Sequence, residues 1–359
     1  MSNKLKVGII GATGIVGQKL ITLLQNHPWF EVKLVAASKR SSNMSYEEAV
    51  KNRWKMICPI PENIKNLIVQ DANNVTENCS KVDFVFCAVS LNKEDTKKLE
   101  EDYAKHEVPV ISNNSANRNL NDVPMLIPEI NYNHIDVINA QKKRLGTKKG
   151  FISVKPNCSI QTYVPALTPL LKYNIESILA CTYQAISGSG KTFKECPEIL
   201  DNVIPFIPGE EEKSENEPLK IWGHIEDNKI VNATSPIITT QCIRVPVENG
   251  HLAAVYVKFK EKISKEEIIK IWNEYESPEI IRNLPSSPKK FIKYMNEDDR
   301  PQTKLDRDFG NGMGITIGRL REDSIFDFKF VSLSHNTVRG AAGGSILSAE
   351  LLKMQGYLY

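Results

Sequence analysis

The sequence predicts an α/β chain in two parts, a doubly wound parallel sheet followed by an α+β unit. Three observations carry this. Short apolar runs alternate with helical periodicity through the first part of the chain, and the first of these runs ends in closely spaced glycines. Beyond about residue 157 the runs lengthen and take on a partial period of two.

The elements follow in order. Residues 5–10 (LKVGII) are mostly apolar, as a strand buried on both faces must be. After Gly11, Gly14 and Gly17, the residues Val16, Leu20, Leu23 and Leu24 recur at helical spacing and give one apolar face. Residues 31–37 read as a second strand, and residues 82–89 and 108–112 as two more, with a charged helix over 92–106 between them. Strands alternating with helices imply right-handed crossovers, hence a Rossmann-like sheet. Residues 177–185, 253–259 and 326–334 are expected strands of a mixed or antiparallel sheet, with helices such as 265–274 on one face. The small-residue segment 340–352 reads as a helix that returns to the first part of the chain.

Composition narrows the function. Of the 359 residues 41% are hydrophobic and 25% charged, with a net charge of +3, which suits a globular protein and no nucleic-acid partner. No run reaches the ~18 apolar residues of a membrane span. The N-terminus passes into a strand without a signal-peptide region, so a cytoplasmic location is expected. Seven cysteines lie scattered, without a Cys-x-x-Cys pair or a clustered histidine, which speaks against disulfides and against a metal site.

The glycines form a variant dinucleotide loop. Gly11 permits the turn, Gly14 lets backbone N–H groups approach a pyrophosphate, and Gly17 allows helix and strand to touch. Thr13, Ile15 and Val16 complete the loop and the first helical turn, whose N-terminus attracts negative charge. A purely structural turn is the alternative. Where an NAD site places an acid, at the end of the second strand, this chain has Ser38, Lys39, Arg40 and Ser41. Two cations and two hydroxyls suit the 2′-phosphate of NADP. A solvated surface loop is the alternative there.

Cys158, in Lys155-Pro156-Asn157-Cys158-Ser159, is followed far downstream by Arg244 and His251. A free thiol is mostly protonated at neutral pH, so a nucleophilic cysteine needs a partner such as a histidine. An arginine can hold a carboxylate through paired hydrogen bonds. With a nucleotide loop upstream, the pattern suggests covalent catalysis coupled to hydride transfer.

Asn157-Cys158-Ser159, Gln184-Ala-Ile-Ser187-Gly188-Ser-Gly190, Arg244 with Gly250-His251, the run from Arg300 through Arg307 to Met313, and Asn336-Thr-Val-Arg339 resemble the aspartate-semialdehyde dehydrogenase family, its archaeal and fungal branch most. The resemblance runs from the glycine loop almost to the C-terminus. It implies Cys158 as nucleophile with Asn157 shaping the pocket, His251 as acid/base and Gln184 orienting the reacting group. It implies Arg244 on the substrate α-carboxylate, Glu217 on its α-amino group, Arg118 and Lys220 on phosphate, and Ser187, Gly188 and Asn336 along the nicotinamide. The implied reaction is NADP-dependent and passes through a cysteine thioester, with a small-molecule substrate and phosphate as partners. A malonyl- or succinyl-CoA reductase on the same scaffold is the alternative. The expected division is 1–156, with the helix 337–359 packed on it, for NADP, and 157–336 for catalysis and assembly into a homodimer or homotetramer. Glu210–Glu212 are left as a solvated acidic loop. The stretch after Ser41 and the Lys155-Pro156 context depart from the family's common pattern.

Overall fold

The computed structural model describes residues 4–359. Its first sheet holds β1 (Leu5–Ile10), β2 (Phe30–Ala37), β3 (Gln70–Asp71), β4 (Phe84–Cys87), β5 (Val110–Ser112) and β6 (Ile152–Val154), in the order β3-β2-β1-β4-β5-β6. Every pairing is parallel. The order turns back between β1 and β4, and the crevice beyond the strand ends at such a point is where doubly wound sheets bind ligands.

Alternate residues of these strands feed two cores. Val7, Ile9, Phe84 and Phe86 pack with Ile346, Leu347 and Leu351 near the C-terminus. Ile10, Leu34, Val85 and Val110 face the other way, into a core continuous with the second sheet. The C-terminal segment starts as a π-helical turn, Val338–Ala342, and continues as the α-helix Gly343–Met354. The expected return of this helix to the first sheet is therefore observed.

After β7 (Ile175–Gln184) a small hairpin, β8 (His224–Glu226) and β9 (Lys229–Val231), stands apart. The second sheet adds β10 (Ile237–Arg244), β11 (His251–Phe259), β12 (Ile292–Met295), β13 (Ile315–Glu322) and β14 (Phe328–Ser334), in the order β10-β7-β11-β14-β13-β12. The two edge pairings, β10 with β7 and β12 with β13, are parallel and the inner ones antiparallel, so the sheet is mixed. Along β11 buried and half-buried residues alternate, as one packed face requires.

β10, β12 and β13 are strands that the hydrophobic pattern does not announce. β10 begins with one exposed face, formed by Ile237, Thr239 and Gln241. In β13 the alternation breaks where the register shifts after Gly318 and Arg319 takes a φ of 60°. The acidic stretch needs a correction: Glu210–Ile221 is a helix, not a solvated loop. Three glutamates in its first turn complement the helix dipole. Pro218 cannot donate to the Ser214 carbonyl, which instead accepts the Tyr163 hydroxyl at 2.6 Å.

Candidate active site

Three neighbouring strands deliver three side chains to one end of the second sheet. Gln184 ends β7, Arg244 ends β10 directly opposite it, and His251 opens β11 on the other side of β7. Cys158 follows β6 of the first sheet and caps the short 3-10 turn Ser159–Thr162. The two sheets thus meet at the thiol, with Cys158 Sγ 3.4 Å from His251 Nε2.

The histidine is fully buried, and its Nδ1 accepts the Ala185 N–H at 3.0 Å. A neutral imidazole holding that bond carries its proton on Nε2, facing the sulfur. Burial, then the charges of Arg244 and His335, hold His251 well below the ordinary histidine range, so it is neutral at pH 7. Burial pushes the Cys158 thiol up to about 11 and Glu210 adds to this, while Arg118, Arg244 and Lys155 act in the opposite direction.

Cys158 opens into a cavity of about 360 Å³. Val16 of the glycine-loop helix lines it, with Arg118, Asn157, Ser187, Gly188 and Asn336. Gly188 leaves space that a side chain would fill: a Cβ there would lie 2.9 Å from Arg244 Nη1 and 3.0 Å from His251 Nε2. Asn336 ties this wall together, donating to Ser187 Oγ at 2.8 Å and accepting the Gly250 N–H at 2.8 Å. Arg244 spends one N–H on the Ala185 carbonyl at 2.7 Å.

The glycine loop has the geometry of a close-approach turn. Gly11 has a φ of 91°, and a Cβ on Gly17 would sit 2.4 Å from the Gly11 carbonyl oxygen. Gly14 caps the helix Ile15–Leu23, and Gln18 holds the Thr13 carbonyl at 3.0 Å. Ser38 is exposed, as are Lys39 and Arg40 in the 3-10 turn that follows β2, whereas Ser41 is buried and accepts a hydrogen bond from Arg53 at 3.2 Å. None of Ser38, Lys39, Arg40 and Ser41 lines the thiol cavity.

The remaining expected residues, Glu217 and Lys220, line a second cavity that shares Arg118 with the first. Glu217 uses both oxygens within the protein, one on Arg118 Nη1 at 2.8 Å and one on the Asn157 N–H at 2.6 Å. Lys220 gives its ammonium to the carbonyls of Arg118, Leu120 and Val123, at 2.6, 2.7 and 2.9 Å. With its protons so used it braces the loop that presents Arg118, and it does not line the thiol cavity.

Glu210 is a site residue that sequence reasoning passes over. Its carboxylate accepts from Asn157 Nδ2 at 3.0 Å, Gln184 Nε2 at 3.4 Å and Lys213 at 2.9 Å. Burial opposes its ionisation, but Lys213 and the two amides outweigh that and hold it below the usual carboxylate range. The one available signal was its position at the start of a helix carrying Glu217 on the same buried side.

A family model described as semialdehyde dehydrogenase, NAD binding domain, matches residues 6–138, and one described as semialdehyde dehydrogenase, dimerisation domain, matches residues 167–339. An aspartate-semialdehyde dehydrogenase of Aspergillus fumigatus is 40% identical over 99% of both chains. One of Archaeoglobus fulgidus is 42% identical, over 96% of this chain and 97% of its own. The crystal structure of the Candida albicans aspartate-semialdehyde dehydrogenase with NADP superposes with a TM-score of 0.88 at 37% identity, covering 99% of this chain and 100% of that one.

Proposed function

The chain belongs to the aspartate-semialdehyde dehydrogenase family, and from that premise we propose how its own residues carry the reaction. It interconverts L-aspartate 4-semialdehyde, phosphate and NADP with L-4-aspartyl phosphate and NADPH. The observation that carries the residue assignment is the 3.4 Å approach of Cys158 Sγ to His251 Nε2 in a cavity that also holds Arg118 and the bare wall at Gly188. The positive φ of Gly11 and the space over Gly188 fit a dinucleotide with its nicotinamide end beside the thiol.

In the biosynthetic direction the Cys158 sulfur bonds to the acyl carbon, the bond to phosphate breaks, and a thioester remains. NADPH supplies the hydride. The thiohemiacetal oxygen then re-forms its carbonyl as the carbon–sulfur bond breaks, and the sulfur returns to the proton that His251 Nε2 presents. Arg118 receives the phosphate, braced by Glu217 and by the Lys220-bound loop, and Arg244 takes the substrate α-carboxylate. Asn157 shapes the pocket and Gln184 orients the reacting group, each held in place by amide N–H groups donated to Glu210. Ser38, Lys39, Arg40 and Ser41 read the 2′-phosphate, with Arg53 as a neighbouring cation.

We assign residues 1–156 and the helix 337–359 to NADP binding, and 157–336 to catalysis and assembly. A match to a dimerisation-domain model supports a homo-oligomer, and we take the state to be dimer or tetramer in the cytoplasm. Among the described residues no helix is long and apolar enough to cross a membrane.

A CoA thioester would leave from the same sulfur, so leaving-group choice is what an experiment must separate. In the oxidative direction the purified protein is expected to require inorganic phosphate or arsenate and to ignore free CoA. Oxidation that runs with CoA and not with phosphate would overturn the substrate assignment and leave the covalent chemistry standing.

A further inference from the structure

Lys155 is buried, and its ammonium nitrogen has no hydrogen-bond partner. Such a group is costly unless a counter-charge forms beside it. The helix that starts at Val338 fixes its position. A Cβ on Gly340 would lie 2.8 Å from Cys158 Cβ, and a Cβ on Gly344 would lie 2.8 Å from Lys155 Nζ. Residues four apart on a helix are neighbours, with Cβ atoms roughly 5–6 Å apart. The thiol and the lysine therefore rest on successive turns of one glycine face.

The other charges around this pair are accounted for. Arg339 forms a two-bond ion pair with Glu129, Arg118 pairs with Glu217 and Lys213 with Glu210. Glu100 accepts from Ser112, Asn114 and Asn117. Arg244 is bonded to the Ala185 carbonyl, and His251 is neutral with Nε2–H toward the sulfur. What remains without an anionic partner is Arg244, which is held by a carbonyl, and Lys155, whose ammonium is held by nothing, beside one group able to become an anion, Cys158.

We propose that Lys155 is a positioning residue whose ammonium, seated on Gly344, is the counter-charge that makes Cys158 a thiolate. One proton serves both arrangements: the S–H bond of the thiol breaks, and the N–H bond that completes the ammonium forms. The thiolate then accepts the Nε2–H of His251, which keeps its bond to Ala185. Burial pushes the Cys158 thiol up and the Lys155 amine down, so each charge is costly alone and compensated when both are present. The inference rests on Cys158 as the nucleophile, but it can fail without that reading failing, because thiolate formation is measurable without turnover.

The experiment is the pH dependence of iodoacetamide alkylation at the Cys158 peptide, read by mass spectrometry in the full chain, with Cys158→Ser as the blank. Lys155→Met is expected to move the profile upward by about a unit or more, which lowers the rate at pH 7 roughly tenfold. Lys155→Arg should restore it in good part, and NADP binding should survive in both. Should Lys155→Met fail to fold, Lys155→Gln is read the same way. A profile unmoved in a folded, uncharged variant, or moved equally by arginine, would overturn the proposal.

Discussion

At the scale of single residues, one anion and three cations act on one sulfur. Glu210 raises the Cys158 thiol and also anchors Asn157 and Gln184. Glu210→Gln should therefore split two readouts. Removing the negative charge should bring the alkylation profile of Cys158 down in pH. Turnover should nevertheless fall about tenfold to a hundredfold, the value of one charge-assisted hydrogen bond at roughly 1.5–3 kcal/mol. Turnover and alkylation moving together would show that Glu210 acts only through the thiol. This residue also marks where sequence reading stopped. Cys158, His251 and Arg244 were legible because a nucleophile, its partner and a carboxylate clamp are defined by chemical type. Glu210 and Lys155 were not, because a glutamate in an acidic run and a lysine before a proline acquire meaning only when the fold buries them. Lys220 shows the converse: its chemical type suits phosphate, but three carbonyls already occupy its ammonium.

At the scale of elements, the helix from Val338 to Met354 joins the two halves of the site. Its N-terminal turn touches Cys158, and its apolar side completes the core of the first sheet. Arg339 locks it from within, bonded to both oxygens of Glu129 and to Gln161 at 3.2 Å, with no exposure. Breaking a buried pair from one side costs about 3–5 kcal/mol. Arg339→Met should lower stability by that amount in chemical denaturation, and the double variant with Glu129→Gln should lose less than the two single losses added together. Additive losses would mean that the pair is not coupled. The helix itself was readable from its small and apolar residues, but its π-helical start was not, since there Gly340 packs against Cys158, a residue far away in the chain. Likewise the central strands of both sheets follow the hydrophobic pattern, while β10 depends on a pairing partner far back in the chain and β13 breaks its alternation at a register shift.

At the scale of the whole molecule, ligand and proton binding are linked to folding. NADP at a hundred times its Kd should stabilise the chain by about 2.7 kcal/mol, and NAD at the same concentration by far less. Equal stabilisation by both would show that Lys39 and Arg40 do not read the 2′-phosphate. Burial, then Lys19, lowers His335 from the ordinary 6.5 to about 4. Between those values the unfolded chain binds a proton that the folded chain does not, so stability is lost as the pH falls through that window, by up to about 3 kcal/mol. His134 and His251, also lowered by burial, act in the same direction. His335→Gln should flatten that part of the stability curve, and an unchanged slope would assign it to other groups. The central claim is that Cys158 holds the substrate as a thioester until phosphate removes it. A rapid-mixing experiment with semialdehyde and NADP but no phosphate tests this directly. One NADPH per active site should form in a burst and then stop, resume when phosphate is added, and be absent in Cys158→Ser. No burst in the native chain, or a burst that survives in Cys158→Ser, would contradict the account.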